Sequence, residues 1–249
     1  MGSMRWMSFL AGASLLSGLL CACEPEPEIV EGSAEDHGKA LFSDPTITET
    51  QANAFSCATC HPTSKPAADG PILPGAPLAG VTRRASYWGG MERELLRSMN
   101  HCLYYFMLSS KSWSAEDERG RALYAYLDAL PAGPEDEQEW PFTVPVQITA
   151  PSAGDATAGA SVYRRACESC HGTVKTGEGR LVARAPILPD QTLADHPLGT
   201  YTPEQRRLVF VQKTRHGGFL GYGGQMPPFS MEVLSDEQMG DLLAFLGVP

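Results

Sequence analysis

Between Met91 and Met107 the chain reads MERELLRSMNHCLYYFM, and its apolar residues return at helical spacing. Leu95, Met99, Cys102, Leu103 and Phe106 share one face at i, i+4, i+7, i+8 and i+11. That stripe predicts a helix from about Glu92, giving way to a loop at SSKSW, with the stripe turned to a core. Two further stretches repeat the period. SAEDERGRALYAYLDAL starts at Ser114 and SDEQMGDLLAFLGV at Ser235. Each begins with serine and carries Asp117 or Gln238 three residues later, close to a capping-box pattern.

The N-terminus has a different pattern. Arg5 is followed by an apolar, small-residue run from Trp6 to Cys23 and then by the acidic, proline-rich EPEPEIVEGSAEDHG. A charged start, an apolar run and a polar exit predict an export signal rather than a core helix. Leu20-Cys21-Ala22-Cys23 resembles a bacterial lipoprotein signal box, which implies cleavage after residue 22 and a lipid on Cys23. Cleavage near Ala22 without a lipid, or an uncleaved anchor, are the alternatives. Residues 23–35 are expected to form an acidic tether. No second apolar run reaches the ~18 residues that span a bilayer.

The formal net charge of −10 argues against nucleic acid and fits a redox partner with a basic docking surface. Gly and Pro are abundant, at 25 and 20 residues, and aromatics make up only 8%. Small, loop-rich domains are the expected consequence.

Cysteine placement changes the picture most. Four of the seven cysteines form two pairs, Cys57/Cys60 and Cys167/Cys170, and each pair is followed at once by histidine, His61 or His171. CxxCH is the attachment signature of c-type haem. Two thiols add to the two vinyl groups of the porphyrin, and the next residue brings an imidazole to the iron. Two covalent haems are therefore expected. A four-cysteine zinc site or two dithiol sites are the alternative, but the motifs lie 110 residues apart, far beyond zinc-ribbon spacing.

The chain also repeats itself. GKALF at 38–42 parallels GASVY at 159–163, the CxxCH motifs follow, then Pro71-Ile72-Leu73-Pro74 and Pro186-Ile187-Leu188-Pro189, then the two closing helices. This order resembles the class I c-type cytochrome family, twice over. The resemblance implies an all-α fold of two tandem domains, 36–131 and 152–249, each a few helices around one haem c. The proline-rich, acidic segment 132–151 would link them. The family packs a proline turn against the proximal histidine and holds its second nitrogen with a backbone carbonyl, a role open here to Pro71 and Pro186. Arg83, Arg84 and Arg215 are candidates to meet haem propionates, while His37, His196 and His216 are expected on the surface or behind a ligand.

The far side of each iron remains to be filled. Met226, in GYGGQMPPF before the last helix, stands where the family places its methionine ligand, and Met231 and Met239 fit less well. For the first haem, the matching landmarks differ by 110 at CxxCH, 115 at PILP and 121 at the serines. Met107 lies 119 before Met226, whereas Cys102, His101 and Met99 lie 124, 125 and 127 before it. Collinearity favours Met107. The expected iron ligands are thus His61, Met107, His171 and Met226. Cys102 is the alternative with the larger consequence, because it also resembles the cysteine ligand of the thiosulfate dehydrogenase family. A methionine raises the potential and suits electron transfer; a thiolate lowers it.

These features predict an exported di-haem cytochrome, lipid-anchored on the periplasmic side of a membrane and carrying electrons between redox proteins. The alternative is an enzyme, either thiosulfate dehydrogenase-like or peroxidase-like. The second rests on GKALFSDP, FSCATCH and APLAGVTRRASYWGGMERELL, which resemble segments of the di-haem peroxidases.

Overall fold

The computed structural model describes residues 32–152, 154–218 and 224–248, so the expected export signal, Cys21, Cys23 and the tether as far as residue 31 lie outside the described residues. Among the described residues the fold is all-α. Nine α-helices are joined by long loops, with no strand beyond a lone bridge between Tyr87 and Glu92. None of these helices is long and apolar enough to cross a membrane.

Capping residues set several of the helix starts. α1 (Ala34–Ser43) opens on a full capping box. The Ser33 hydroxyl accepts from the Asp36 amide, and the Asp36 carboxylate accepts from Ser33 N–H, each at 3.1 Å. These bonds satisfy amides that the first turn leaves free. The closing helix α9 (Asp236–Phe245) repeats the device with Ser235 and Gln238. α4 (Glu118–Ala129) departs from expectation. Its N-cap is Asp117, which accepts from Arg119 N–H at 3.0 Å, whereas Ser114 spends its hydroxyl on the Glu116 amide in the preceding turn. α3 (Leu95–Tyr105) likewise starts later than Glu92, whose carboxylate accepts from the Arg93 and Glu94 amides ahead of the helix.

The two halves build the same crossing. α1 packs across α4, and α5 (Ala156–Ala166) packs across α9. At each crossing a glycine lets the backbones touch: a side chain on Gly38 would strike the Ala122 carbonyl, and one on Gly159 the Asp241 carbonyl. One ring pair sits beside each, Phe42 with Tyr126 at 5.4 Å and Tyr163 with Phe245 at 5.6 Å. Each crossing closes one core. Leu41, Phe42, Leu103, Trp113, Leu123 and Leu127 belong to the first; Val162, Tyr163, Phe210, Phe229, Met239 and Leu243 belong to the second. Burying each such side chain contributes about 1.5–3 kcal/mol.

The lobes exchange residues. Ile72 packs in the second core, its N–H donating to the Arg165 carbonyl at 2.9 Å, while Arg165 donates back to the Gly70 and Ala68 carbonyls. Val182 in turn packs in the first core. Residues 132–151 run along both lobes. Arg83 pairs with Glu137 at 2.6 Å, Ser86 donates to Glu139, and Trp88 meets Phe142 edge-on. Farther along, Met231 N–H donates to the Thr143 carbonyl, and His216 Nε2 donates to the Pro145 carbonyl at 2.7 Å. The remaining helices are the one-turn α2 (Cys57–Cys60) and α6 (Glu168–His171), with α7 (Asp190–Asp195) and α8 (Pro203–His216) between the second motif and α9.

Candidate functional site

Both CxxCH motifs fold as a single helical turn. In α2 the turn brings Cys57 and Cys60 round to one side, and His61 N–H donates to the Cys57 carbonyl at 2.9 Å. In the second lobe Cys167 ends α5, and His171 N–H donates to its carbonyl, also at 2.9 Å. Each imidazole is then held from behind. His61 Nδ1 lies 2.9 Å from the Ala76 carbonyl and His171 Nδ1 lies 2.9 Å from that of Pro186. A carbonyl only accepts, so the proton sits on Nδ1 and the Nε2 lone pair is left for an iron. Burial lowers both imidazole pKa values, which favours the neutral form a metal needs. Gly75 lies so close over the His61 ring that a Cβ there would collide with it.

Pro186 therefore fills the role open to it, and in the first lobe Ala76 does so instead of Pro71. Both carbonyls lie 15 residues after their histidine. The first PILP is not the counterpart of the second, since Ile72 has left for the other lobe's core.

A large apolar cavity opens beside His61. Cys57, Cys60 and His61 line one part of it; Leu95, Ser98, Met99, Cys102, Leu103, Phe106 and Met107 line another. The α3 stripe is thus a cavity wall. Met107 is 4% exposed and belongs to the first core, Cys102 and Met99 are half-buried, and all three line the cavity. Cys102 is also within electrostatic reach of both anchoring cysteines. His101 is outside the wall, its ring against Trp88 and Tyr105.

The thiols sit in apolar surroundings. Burial pushes Cys57 up to about 11, and Cys102 and Cys167 up to about 12, and raises Cys60 and Cys170 as well. A neutral thioether suits such a setting.

The polar groups on this wall test whether haem fits. Arg84 is 8% exposed and donates to the carbonyls of Pro77, Ala79 and Asp136; among the described residues Asp136 reaches it electrostatically, but no carboxylate lies within ion-pair distance. Ser98 Oγ and Trp140 Nε1 are buried on the same wall without a hydrogen-bond partner among the described residues, and Ser230, whose hydroxyl reaches the Glu232 carboxylate, lines it as well. A buried cation and orphaned hydroxyl and indole groups are costly in an apolar wall unless a ligand meets them. A flat apolar group with two carboxylates, as haem is, fits that combination. Arg83 pairs with Asp128 and Glu137, and Arg215 with Asp236 plus three carbonyls, so both are committed elsewhere.

In the second lobe Cys167 and Met226 pack against the same core, and His171 is buried. The Tyr163 hydroxyl donates to the Gly172 carbonyl at 2.7 Å, locking α5 over the turn after the histidine. Pro227 and Pro228, which follow Met226, line the first lobe's cavity. Of the other histidines, His196 meets the Thr192 carbonyl and the Tyr201 ring, His216 is buried against the Pro145 carbonyl, and His37 is half-buried on α1. Among the described residues no three His, Cys, Asp or Glu side chains are grouped closely enough to hold a metal ion between them. Ala76, Trp140 and Ser230 had no motif to announce them; for Ala76 the constant 15-residue interval after histidine is the signal.

No curated protein matches the chain. Among solved structures, the thiosulfate dehydrogenase (TsdBA) from Marichromatium purpuratum, in its as-isolated form, is similar at 17% identity and a TM-score of 0.40, over 90% of this chain and 48% of that one. The chain thus spans about half the length of that protein. Residues 154–246 match the family model described as cytochrome C oxidase, cbb3-type, subunit III. The second lobe, with Cys167, Cys170 and His171, thus carries a class I c-type cytochrome domain over residues 154–246.

Proposed function

We propose that the chain is a di-haem c-type cytochrome of the cell envelope, exported, anchored by a lipid on Cys23, and passing electrons between redox partners whose docking surfaces are basic. The observation that carries the di-haem reading is the duplicated histidine geometry. Each lobe sets CxxCH on one helical turn and fixes Nδ1 with a carbonyl 15 residues on. A haem bound at each motif supplies one-electron Fe(III)/Fe(II) chemistry. The protein's part is to hold the imidazoles in one tautomer, exclude water with an apolar wall and place a sulfur donor opposite. Met226 is that donor in the second lobe. In the first, Met107, Cys102 and Met99 all line the cavity, and Cys102, half-buried and within electrostatic reach of both anchoring cysteines, is favoured over Met107, which is packed in the core. The test is haem stoichiometry by pyridine haemochrome on the matured protein. Two haems per chain are expected, and one would end the di-haem reading.

Cys102 also supports a second reading, an oxidoreductase acting on small sulfur anions. Thiosulfate-dependent reduction of the purified protein separates it from a pure carrier.

Arg84 gives a further expectation. A buried cation favours the reduced, less positive haem. Arg84→Gln is expected to lower the first haem's midpoint potential by on the order of 50 mV, given roughly 1–2 kcal/mol for charges ~10 Å apart at an effective dielectric of ~20. Redox titration followed in the visible band checks it; an unchanged potential places the carboxylates elsewhere.

A further inference from the structure

The two expected sixth-ligand segments touch. Gln225, immediately before Met226, is 6% exposed, and its Nε2 donates to the Phe106 carbonyl at 2.8 Å. Phe106 ends α3 one residue before Met107, and its own N–H donates to the Cys102 carbonyl at 3.1 Å. The same Gln225 amide lies 3.4 Å from Asn53 Oδ1. Asn53 pins the approach to the first haem motif, donating to the Pro45 and Phe55 carbonyls and accepting from Phe55 N–H. One buried side chain from the second lobe thus meets the far wall and the near approach of the first lobe's site.

The segment that follows strengthens the point. Met226 packs against the second core while Pro227 and Pro228 line the first cavity, so a few consecutive residues bridge the second core and the first site. Two prolines limit how that wall can move by fixing φ. A displacement at Met226 must pass into the first cavity or be absorbed at Gln225.

We infer that Gln225 is a positioning residue that couples the two haem sites, so that the state of the Met226–iron bond sets the redox equilibrium of the iron held by His61. The inference rests on the di-haem reading with Met226 as a ligand. Coupling of this kind is a free energy and is reciprocal: what ligation at one iron does to the other's affinity for an electron, reduction of the second does to the ligation. It requires a differential contact in the two states, and the Gln225–Phe106 hydrogen bond is that contact.

The test is a double-mutant cycle on the full di-haem protein, with each haem's midpoint read by potentiometry and its ligation by electron paramagnetic resonance. The variants are Met226→Ala, Gln225→Met, which keeps length but removes the amide, and the two combined. In the wild-type background Met226→Ala is expected to change the second haem's spectrum and to shift the first haem's equilibrium about fivefold, which is about 40 mV at 59 mV per tenfold. In the Gln225→Met background the second haem is expected to respond as before, and the first haem's shift to fall below twofold. Gln225→Glu, which sets an acceptor against the Phe106 carbonyl, is expected to decouple in the same way and serves if Gln225→Met does not fold. An equal first-haem shift in all backgrounds overturns the inference in favour of through-space electrostatics, and no shift in the wild-type background overturns it outright. An unchanged second-haem spectrum in Met226→Ala instead overturns the ligand reading beneath it, and that outcome is recognised separately.

Discussion

Changing Cys167 and Cys170 together to serine is expected to halve the covalently bound haem, and changing Cys57 and Cys60 together to halve it equally. Serine keeps the size of cysteine but cannot add to a vinyl group to form a thioether, so each double variant should retain the haem of the other lobe alone. Pyridine haemochrome after denaturation and acid–acetone extraction reads the covalent fraction directly. Retention of two haem equivalents in either double variant would falsify the assignment of that motif. The same variants bear on stability. Ile72 lies in the second core and Val182 in the first, and residues 132–151 bond to both lobes. On the di-haem reading, losing one haem would leave an apolar wall without its partner, at roughly 25 cal/mol per Å² of surface returned to water. Because the cores share residues, thermal unfolding should fall as one transition rather than separate into a stable and an unstable lobe.

That interlocking was not legible in the sequence, whereas the two CxxCH motifs were, and each folds as a single helical turn. CxxCH is legible because the chemistry demands fixed side chains at fixed spacing. The helix of α9 was legible because Ser235 and Gln238 form their box with local atoms only. Ser114 misled for a physical reason: Asp117, three residues on, caps with a carboxylate that also holds the Arg119 guanidinium at 3.0 Å. The repeated PILP misled because identical tetrapeptides have no obligation to occupy equivalent places. One holds a histidine through Pro186, and the other crosses to the far lobe. The residue that holds His61 acts through its carbonyl, which every residue possesses, so Ala76 carried no side-chain mark. Residues 132–151 read as a linker because proline and acid are common there. Which partners its acids would find was not legible: Glu137 pairs with Arg83 and Glu139 accepts from Ser86, each more than 50 residues back. The α3 stripe was legible as a stripe, but periodicity cannot tell a face turned to packed side chains from a face turned to a cavity.

That last ambiguity decides the second large expectation. Cys102→Ala is expected to abolish the low-spin ferric signal of the haem held by His61 and to raise that haem's potential by about a hundredfold in equilibrium constant, roughly 120 mV at 59 mV per tenfold. A thiolate stabilises the ferric state, whereas methionine or a weak ligand favours the ferrous one. The thiol sits neutral in its apolar wall, and binding to iron is what would deprotonate it. Met107→Ala should behave differently. Met107 is 4% exposed and packed in the first core, so its truncation is expected to cost about 2–5 kcal/mol of stability while leaving both resonance signals in place. The red charge-transfer band of a methionine–iron bond should survive both variants and vanish only in Met226→Ala. If Met107→Ala removes the signal and Cys102→Ala spares it, the first iron is capped from the core, the chain holds two histidine–methionine haems, and the sulfur-oxidising reading loses the residue that carried it.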